Sequence, residues 1–350
     1  MNQEFEPDSK EQMESAKKNL IYVGILSIVM LFAAFTSAYI VSMGDTFWLK
    51  FPLPSSFWVS TVLIILSSVA VQFAVVSAKK GSLSNLKMAI SATLILGLGF
   101  VYFQFKGYGQ LIDNGVHAAS NHIIVTDGKY GDYYEVKMNG KFIEVNGNDY
   151  LIGGKSLTDI EVKSYQKFMS QFLIFDSIKP FEVTEDNKFE LYFENRPLWV
   201  KENQLMTADS SELKYLDRVR LKDLAVNVRD KRGDFFVRGE MGKDFQIYYK
   251  GKELQDKDRD LQMNGTKLSN YLQIKVMESS DTASSYLYII TFLHLVHIVI
   301  ALFYMVKLVI RSYSGSITAE NTIGLKMGAI FWHFLGLLWV YLLLFLIYIH

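Results

Sequence analysis

Long apolar runs and short alternating ones divide this chain into two kinds of segment. Five stretches, Asn19–Met43, Ser56–Ala78, Met88–Phe105, Ala283–Val306 and Met327–Ile349, contain no Asp, Glu, Lys or Arg. About 20 apolar residues in a helix cross a hydrocarbon layer about 30 Å thick. Each stretch therefore predicts a membrane-spanning helix. The third is the shortest and relies on the aromatic flank of Tyr102, Phe103 and Phe105. Five such runs in one chain argue against a buried soluble core. The first run is expected to be retained: it is longer than a signal-peptide core and is followed by Gly44-Asp45-Thr46.

Between the third and fourth runs the period changes. Turn dipeptides recur at Asp127-Gly128, Asn139-Gly140, Asn146-Gly147, Gly153-Gly154 and Asn264-Gly265. Strand-like segments such as Tyr133–Met138 and Lys141–Val145 lie between them. Helical spacing appears over Leu157–Leu173, where Leu157, Ile160, Tyr165, Phe168, Met169 and Phe172 share a broad face, and again over Glu212–Leu224. The mixed-charge run Lys250–Asp260 predicts a solvated loop. The expected fold class is an all-α polytopic bundle of five transmembrane helices carrying an inserted soluble α+β domain. The expected divisions are a tail at 1–18, helices 1–3 over 19–106, the insert over 107–282 and helices 4–5 over 283–350.

Charge sharpens this division. Residues 107–283 hold 25 of the 36 Lys and Arg and 29 of the 36 Asp and Glu. Short loops set orientation by their Lys and Arg. The N-terminal tail has Lys10, Lys17 and Lys18, the second loop Lys79, Lys80 and Lys87, and the fourth Lys307, Arg311 and Lys326. The opposite side offers Lys50 and Lys106. That asymmetry predicts a cytoplasmic N-terminus, with the insert and His350 outside.

The chain has no Cys, and its net charge is zero. Disulfides, thiolate–metal centres and cysteine nucleophiles are thereby excluded. Nothing in the charge favours nucleic acid. No Walker loop, GxGxxG, HExxH or GxSxG pattern occurs, so the insert offers no readable chemistry. Within the spans the notable polar side chains are His294, His297 and His333. His294 and His297 share a helix face and, with His333, could hold a metal. The spans contain no carboxylate, so neutral imidazoles bonding neighbouring helices are the favoured reading. Ser67-Ser68, Ser37-Ala38, Gly97 and Gly99 mark close helix approaches. Trp48, Phe51 and Trp58 flank the first external loop in the manner of an interfacial aromatic belt.

These residues resemble subunit III of haem–copper terminal oxidases. Leu293-His294-Leu295-Val296-His297-Ile298 is similar to that family's LHxxHV helix, with Ala301 where a Gly usually stands. Trp332-His333-Phe334-Leu335-Gly336-Leu337-Leu338-Trp339 resembles its WHFVDxxW. The stretch from Leu53-Pro54 through Ser60-Thr61 to Ser67-Ser68 resembles another of its helices. Ala38-Tyr39-Ile40-Val41, Gln104 and Gly109-Gln110-Leu111 fit in order as well. The likeness is to the short, five-helix form of cytochrome c or quinol oxidase subunit III.

The resemblance implies a non-redox subunit that stabilises the catalytic subunit, holds phospholipid and carries no haem or copper. Those cofactors are expected in the partner subunits I and II of a proton-pumping complex in a bacterial inner membrane. Catalytic, cofactor and metal residues are accordingly expected to be absent from this chain. Tyr39, Trp58, Ser67, Ser68, His294, His297, Trp332, His333 and Trp339 are the structural or interface candidates. Exclusion points the same way: a catalytic subunit needs six His in its helices, and an electron-entry subunit needs Cys for its copper. Three departures stand out. Ile28 follows Ser27 where the family often has Glu, Gly336 replaces its final-helix Asp, and a short connection is replaced by residues 107–282. The insert is expected to dock on another periplasmic respiratory component. The alternative is a stand-alone five-helix receptor or transporter with a periplasmic ligand-binding domain.

Overall fold

The computed structural model describes residues 7–119, 123, 134–146, 149–174, 181–184, 186–231, 241–257, 260–318 and 321–349. The chain opens with helix α1 (Pro7–Asp45), strand β1 (Phe47–Lys50), α2 (Ser55–Lys79) and α3 (Leu83–Asp113). Next come β2 (Tyr134–Met138), β3 (Lys141–Phe142), β4 (Glu144–Asn146), β5 (Asp149–Ile152) and β6 (Lys155–Ser156). Helix α4 (Asp159–Met169) follows, continued by a 3-10 turn at Ser170–Phe172. Then come β7 (Phe189–Phe193), β8 (Arg196–Pro197), β9 (Trp199–Lys201), β10 (Gln204–Met206) and α5 (Tyr215–Arg229). After these lie β11 (Gln246–Tyr249), β12 (Lys252–Lys257), β13 (Asp260–Met263), β14 (Thr266–Lys267) and α6 (Asn270–Glu278). Helices α7 (Thr282–Tyr313) and α8 (Ile323–Tyr348) close the chain.

Helices α1, α2, α3, α7 and α8 are each long and apolar enough to cross a membrane; they contain four of the five predicted runs whole and the fifth up to Tyr348. Their ends follow from local chemistry. Gly81, Gly115 and Gly315 adopt φ of 72°, 73° and 73° just past α2, α3 and α7. At each end the next amide turns back onto a carbonyl five residues earlier: Ser82 to Ser77, Val116 to Leu111 and Ser316 to Arg311, at 2.9–3.0 Å. This left-handed cap satisfies carbonyls that a membrane helix cannot leave bare. Asp281 starts α7 by accepting the Ser284 amide at 3.0 Å and hydroxyl at 2.6 Å.

Helix α2 packs on α3, α3 on α7, α7 on α8 and α8 back on α2, which closes a four-helix ring. Helix α1 leans on α7 and α8 from outside and leaves Leu20, Val23, Leu26 and Met30 exposed. Glycines set the ring's tightness. A Cβ on Gly97 would lie 2.7 Å from Leu302 and 2.8 Å from the Trp332 ring. One on Gly107 would lie 2.6 Å from Phe57 Cδ1.

The described part of 107–282 contributes to two hydrophobic cores. Residues 134–228 form a lobe of their own, with Tyr134, Val136, Tyr165, Phe168, Met169, Phe172, Phe189 and Leu221 at its centre. A four-stranded sheet in the order β3-β2-β7-β8 and a three-stranded sheet β4-β5-β6 enclose them with α4 and α5. Residues 241–276 belong instead to the bundle's core, through Phe245, Ile247, Leu254, Leu261, Leu268 and Val276. Strand β11 pairs antiparallel with β1, Phe47 opposite Tyr249 and Lys50 opposite Gln246. The sheet continues through β12 and β13 to β14.

Several local expectations change. Trp48 is not part of an interfacial belt: it is fully buried, its ring 4.7 Å edge-on to Tyr39, because β1 is covered by β11. Of the predicted loop Lys250–Asp260, the described stretch Lys250–Lys257 is not a loop. It forms the β11–β12 turn and β12, and its one aliphatic side chain, Leu254, points into the core. Ile160 leaves the predicted face of α4 and is 81% exposed, whereas Tyr165, Phe168 and Met169 are buried. Helix α5 starts at Tyr215 because Glu212 bridges to Met206. Asn139-Gly140, Gly153-Gly154 and Asn264-Gly265 turn with positive φ at both residues, the two-residue hairpin geometry. Asp127-Gly128 and Gly147 lie outside the described residues.

Candidate functional site

Five of the nine candidates, Ser67, Ser68, Trp332, His333 and Trp339, meet at the seam between α2 and α8. Both helices carry a seven-residue repeat of matched type: Ser60-Thr61 and Ser67-Ser68 on α2, Trp332 and Trp339 on α8. Two helical turns separate the repeats, so hydroxyls and indoles face each other in antiparallel order. Trp332 Nε1 donates to Ser67 Oγ at 2.9 Å, and Ser67 donates onward to the Ile64 carbonyl at 2.8 Å. Trp339 Nε1 donates to Thr61 Oγ1 at 2.8 Å, which itself donates to the Phe57 carbonyl at 2.7 Å. The hydroxyls thus bond their own helix and accept a partner's proton together. In a medium without water this satisfies both helices without exposing backbone.

His333 extends the seam outward. Its Nδ1 bonds Ser68 Oγ and its Nε2 bonds Gln72 Oε1 at 3.2 Å. Gln72 is exposed and His333 half-buried, so this polar pair reaches the outer surface of the ring.

His294 is fully buried, and its Nε2 donates to the Leu335 carbonyl of α8 at 3.0 Å. Its ring packs 5.4 Å from that of Trp339 and 5.9 Å from Phe100. His297 turns to its own helix, where Nδ1 donates to the Leu293 carbonyl at 2.7 Å, and its ring lies 6.0 Å from Phe32 of α1. Each imidazole thus has its own partners. Among the described residues, no three His, Asp or Glu form a group that could hold a metal.

Tyr39 anchors α1. It is fully buried, accepts from Trp48 Nε1 at 3.3 Å and packs edge-on to Tyr286 at 5.8 Å and Phe345 at 5.1 Å. Thr36 Oγ1 accepts from Tyr341 at 3.2 Å. Trp58 lies away from all of this, 54% exposed on the outer face of α2. On β1, Lys50 Nζ sits 4.5 Å over the Tyr248 ring, and partial burial lowers its pKa.

Several members of this network were not among the candidate residues. Thr61, Gln72, Thr36 and Tyr341 belong to it, as does the pair in which Tyr108 donates to Thr291 Oγ1 at 3.1 Å. The seven-residue spacing shared by α2 and α8 was the available signal for Thr61. Nothing comparable marks Tyr341, whose role depends on where α1 leans.

Helices α7 and α8 carry five of the nine candidates: His294, His297, Trp332, His333 and Trp339. The resemblance drawn for α1–α3 rests on Tyr39, Ser67, Ser68 and their neighbours, which lie before residue 261. A search of curated proteins finds no match. Residues 261–350, which contain α6, α7 and α8, match the family model of cytochrome c oxidase subunit III, so this last quarter of the chain is similar to that family.

Proposed function

We propose that this chain is the non-redox subunit III of a haem–copper respiratory oxidase. In that role it stabilises the catalytic subunit, and haem and copper reside in subunits I and II. The observation that carries the reading is the coincidence of the family match at residues 261–350 with the polar seam of α2 and α8. A uncovered amide and imidazole are poorly suited to hydrocarbon, so Gln72 and His333 fit a face covered by a neighbouring subunit. The exposed apolar surfaces of α1 suit lipid, and bound phospholipid is part of the proposal. The excess of Lys and Arg at the α2–α3 and α7–α8 ends supports a cytoplasmic N-terminus in a bacterial inner membrane. The 134–228 lobe then faces the periplasm, where it would contact another respiratory component.

Mild-detergent purification of the tagged chain tests this. It is expected to bring down a haem-bearing complex with an oxidase spectrum. A haem-free, monodisperse chain would favour the stand-alone receptor or transporter. His333→Phe is expected to loosen attachment while haem and copper per catalytic subunit stay unchanged. Topology has its own check, since the chain has no native Cys. Single Cys at Ser82, Ser210 or Ser316 should react with an impermeant thiol reagent on spheroplasts only at 210.

A further inference from the structure

Two side-chain atoms inside the α2-α3-α7-α8 ring are buried without a hydrogen-bond partner: Gln104 Oε1 and His294 Nδ1. Both residues are fully buried. Helix geometry places their Cα atoms at about the same height. Helices α3 and α7 are antiparallel neighbours, and the Tyr108–Thr291 bond fixes their register. One turn inward from Tyr108, α3 presents Gln104. Three residues on from Thr291, α7 presents His294. One further turn along α3, Phe100 packs on the His294 ring with centroids 5.9 Å apart, so His294 lies level with the Phe100–Gln104 turn.

The protons on both groups are fixed by their other contacts. The Leu335 carbonyl can only accept, so the hydrogen is on His294 Nε2 and Nδ1 presents a lone pair. Ser60 donates to the Phe57 carbonyl at 2.9 Å. Its oxygen therefore accepts from Gln104 Nε2, also at 2.9 Å, which leaves Oε1 as an acceptor. Two acceptors cannot bond each other. Both need a donor, in a core walled by Phe100 and Trp339 and closed to solvent.

We propose that a water molecule is bound here, donating one proton to Gln104 Oε1 and the other to His294 Nδ1. Water is the smallest neutral group that donates twice, and bridging buried polar atoms is its ordinary structural role. A cation such as ammonium would also donate, but the five uncharged runs supply no carboxylate to balance it. The site ties α3 to α7 at a level where no direct bond does so.

Solid-state NMR of the full chain in lipid, with 15N-labelled histidine, tests the site. The His294 signals are assigned by their loss in His294→Phe. Polarisation is expected to pass from a water proton to Nδ1. In Gln104→Leu the Nδ1 resonance should shift while Nε2, still bonded to Leu335, stays in place. An Nδ1 that carries its own proton, that receives nothing from water, or that ignores Gln104→Leu would overturn the proposal. If that variant does not fold, a density map of the unmodified protein decides. A peak within about 2.7–3.2 Å of both atoms is expected. A Gln104 amide turned to bond His294 directly, or continuous apolar packing between them, would refute it.

Discussion

The helix ring and the 134–228 lobe solve the same problem, a closed core, with opposite chemistry. In the ring, polar side chains face inward across helix seams: Ser67 with Trp332, Thr61 with Trp339, Gln104 with Ser60. In the lobe the core is aromatic and aliphatic, ion pairs such as Arg196–Asp209 and Arg229–Asp230 lie at the surface, and only a few polar groups, among them Arg218, Asn227 and the Asp217–Arg220 pair, are largely buried. The difference follows from the solvent. Water satisfies a lobe's exterior, whereas lipid satisfies nothing polar, so the ring must pair its polar groups internally. Residues 241–276 belong with the ring although they follow the lobe in sequence, because β11 pairs with β1.

The strongest test of this separation is a pair of core truncations. Trp332→Ala should cost about 3–5 kcal/mol, and Phe189→Ala about the same. Limited proteolysis should then cut the lobe alone in the second, while loss of detergent-resistant helix packing should appear in the first. If either substitution loosens both regions together, the two cores are one cooperative unit. Overpacking comes next. Gly97→Val should destabilise the ring by about 1–3 kcal/mol, seen as a lower melting temperature in detergent, because its Cβ meets both Leu302 and Trp332.

At the lobe's edge, Thr158→Ala should cost about 1 kcal/mol by removing the α4 capping box. Its partner Glu161 gives the pH signature. The backbone amide of Thr158, and then its hydroxyl, hold the Glu161 carboxyl below its usual pKa. That contribution is present above the unfolded-state pKa and is lost as pH falls through the lowered value, so the penalty of Glu161→Gln should fade in acid. Asp217 has the opposite sign. Burial raises its pKa against the pull of Arg220, so its contribution is fullest below the unfolded value and declines as pH rises. Stability of wild type minus that of Asp217→Asn should accordingly fall with rising pH. The smallest expected effect is Ser67→Ala, about 0.6–1.7 kcal/mol by thermal melting, since membrane hydrogen bonds are individually modest.

The spans were legible because uncharged runs of this length have little alternative, and the hairpins because Asn-Gly and Gly-Gly accept positive φ. Glu194-Asn195 and Glu202-Asn203 turn with the same positive φ, yet Glu has no such preference, and sequence reasoning passed over them. The allegiance of 241–276 was hidden for a different reason. It depends on which strand covers Phe47, Trp48 and Leu49, and a local pattern cannot report a partner so distant. Among the candidates, Trp332 and Trp339 could be read as packing residues, but their bonds to Ser67 and Thr61 required the antiparallel register of α2 and α8.

The β1–β11 pairing also bears on how the chain is made. Strand β1 leaves the ribosome early, and its partner follows about two hundred residues later, on the order of ten seconds or more of synthesis. Until then Trp48 and its neighbours have no cover. The entropy of closing so long a loop grows only logarithmically, by about 0.6 kcal/mol per doubling, so an excursion the size of the lobe adds little to the final stability. Its consequence is kinetic: long-range pairing is slow. Closure of β1 against β11 should therefore be a slow step, and an interval of exposure should precede it in which a membrane chaperone or a partner subunit could still reach β1.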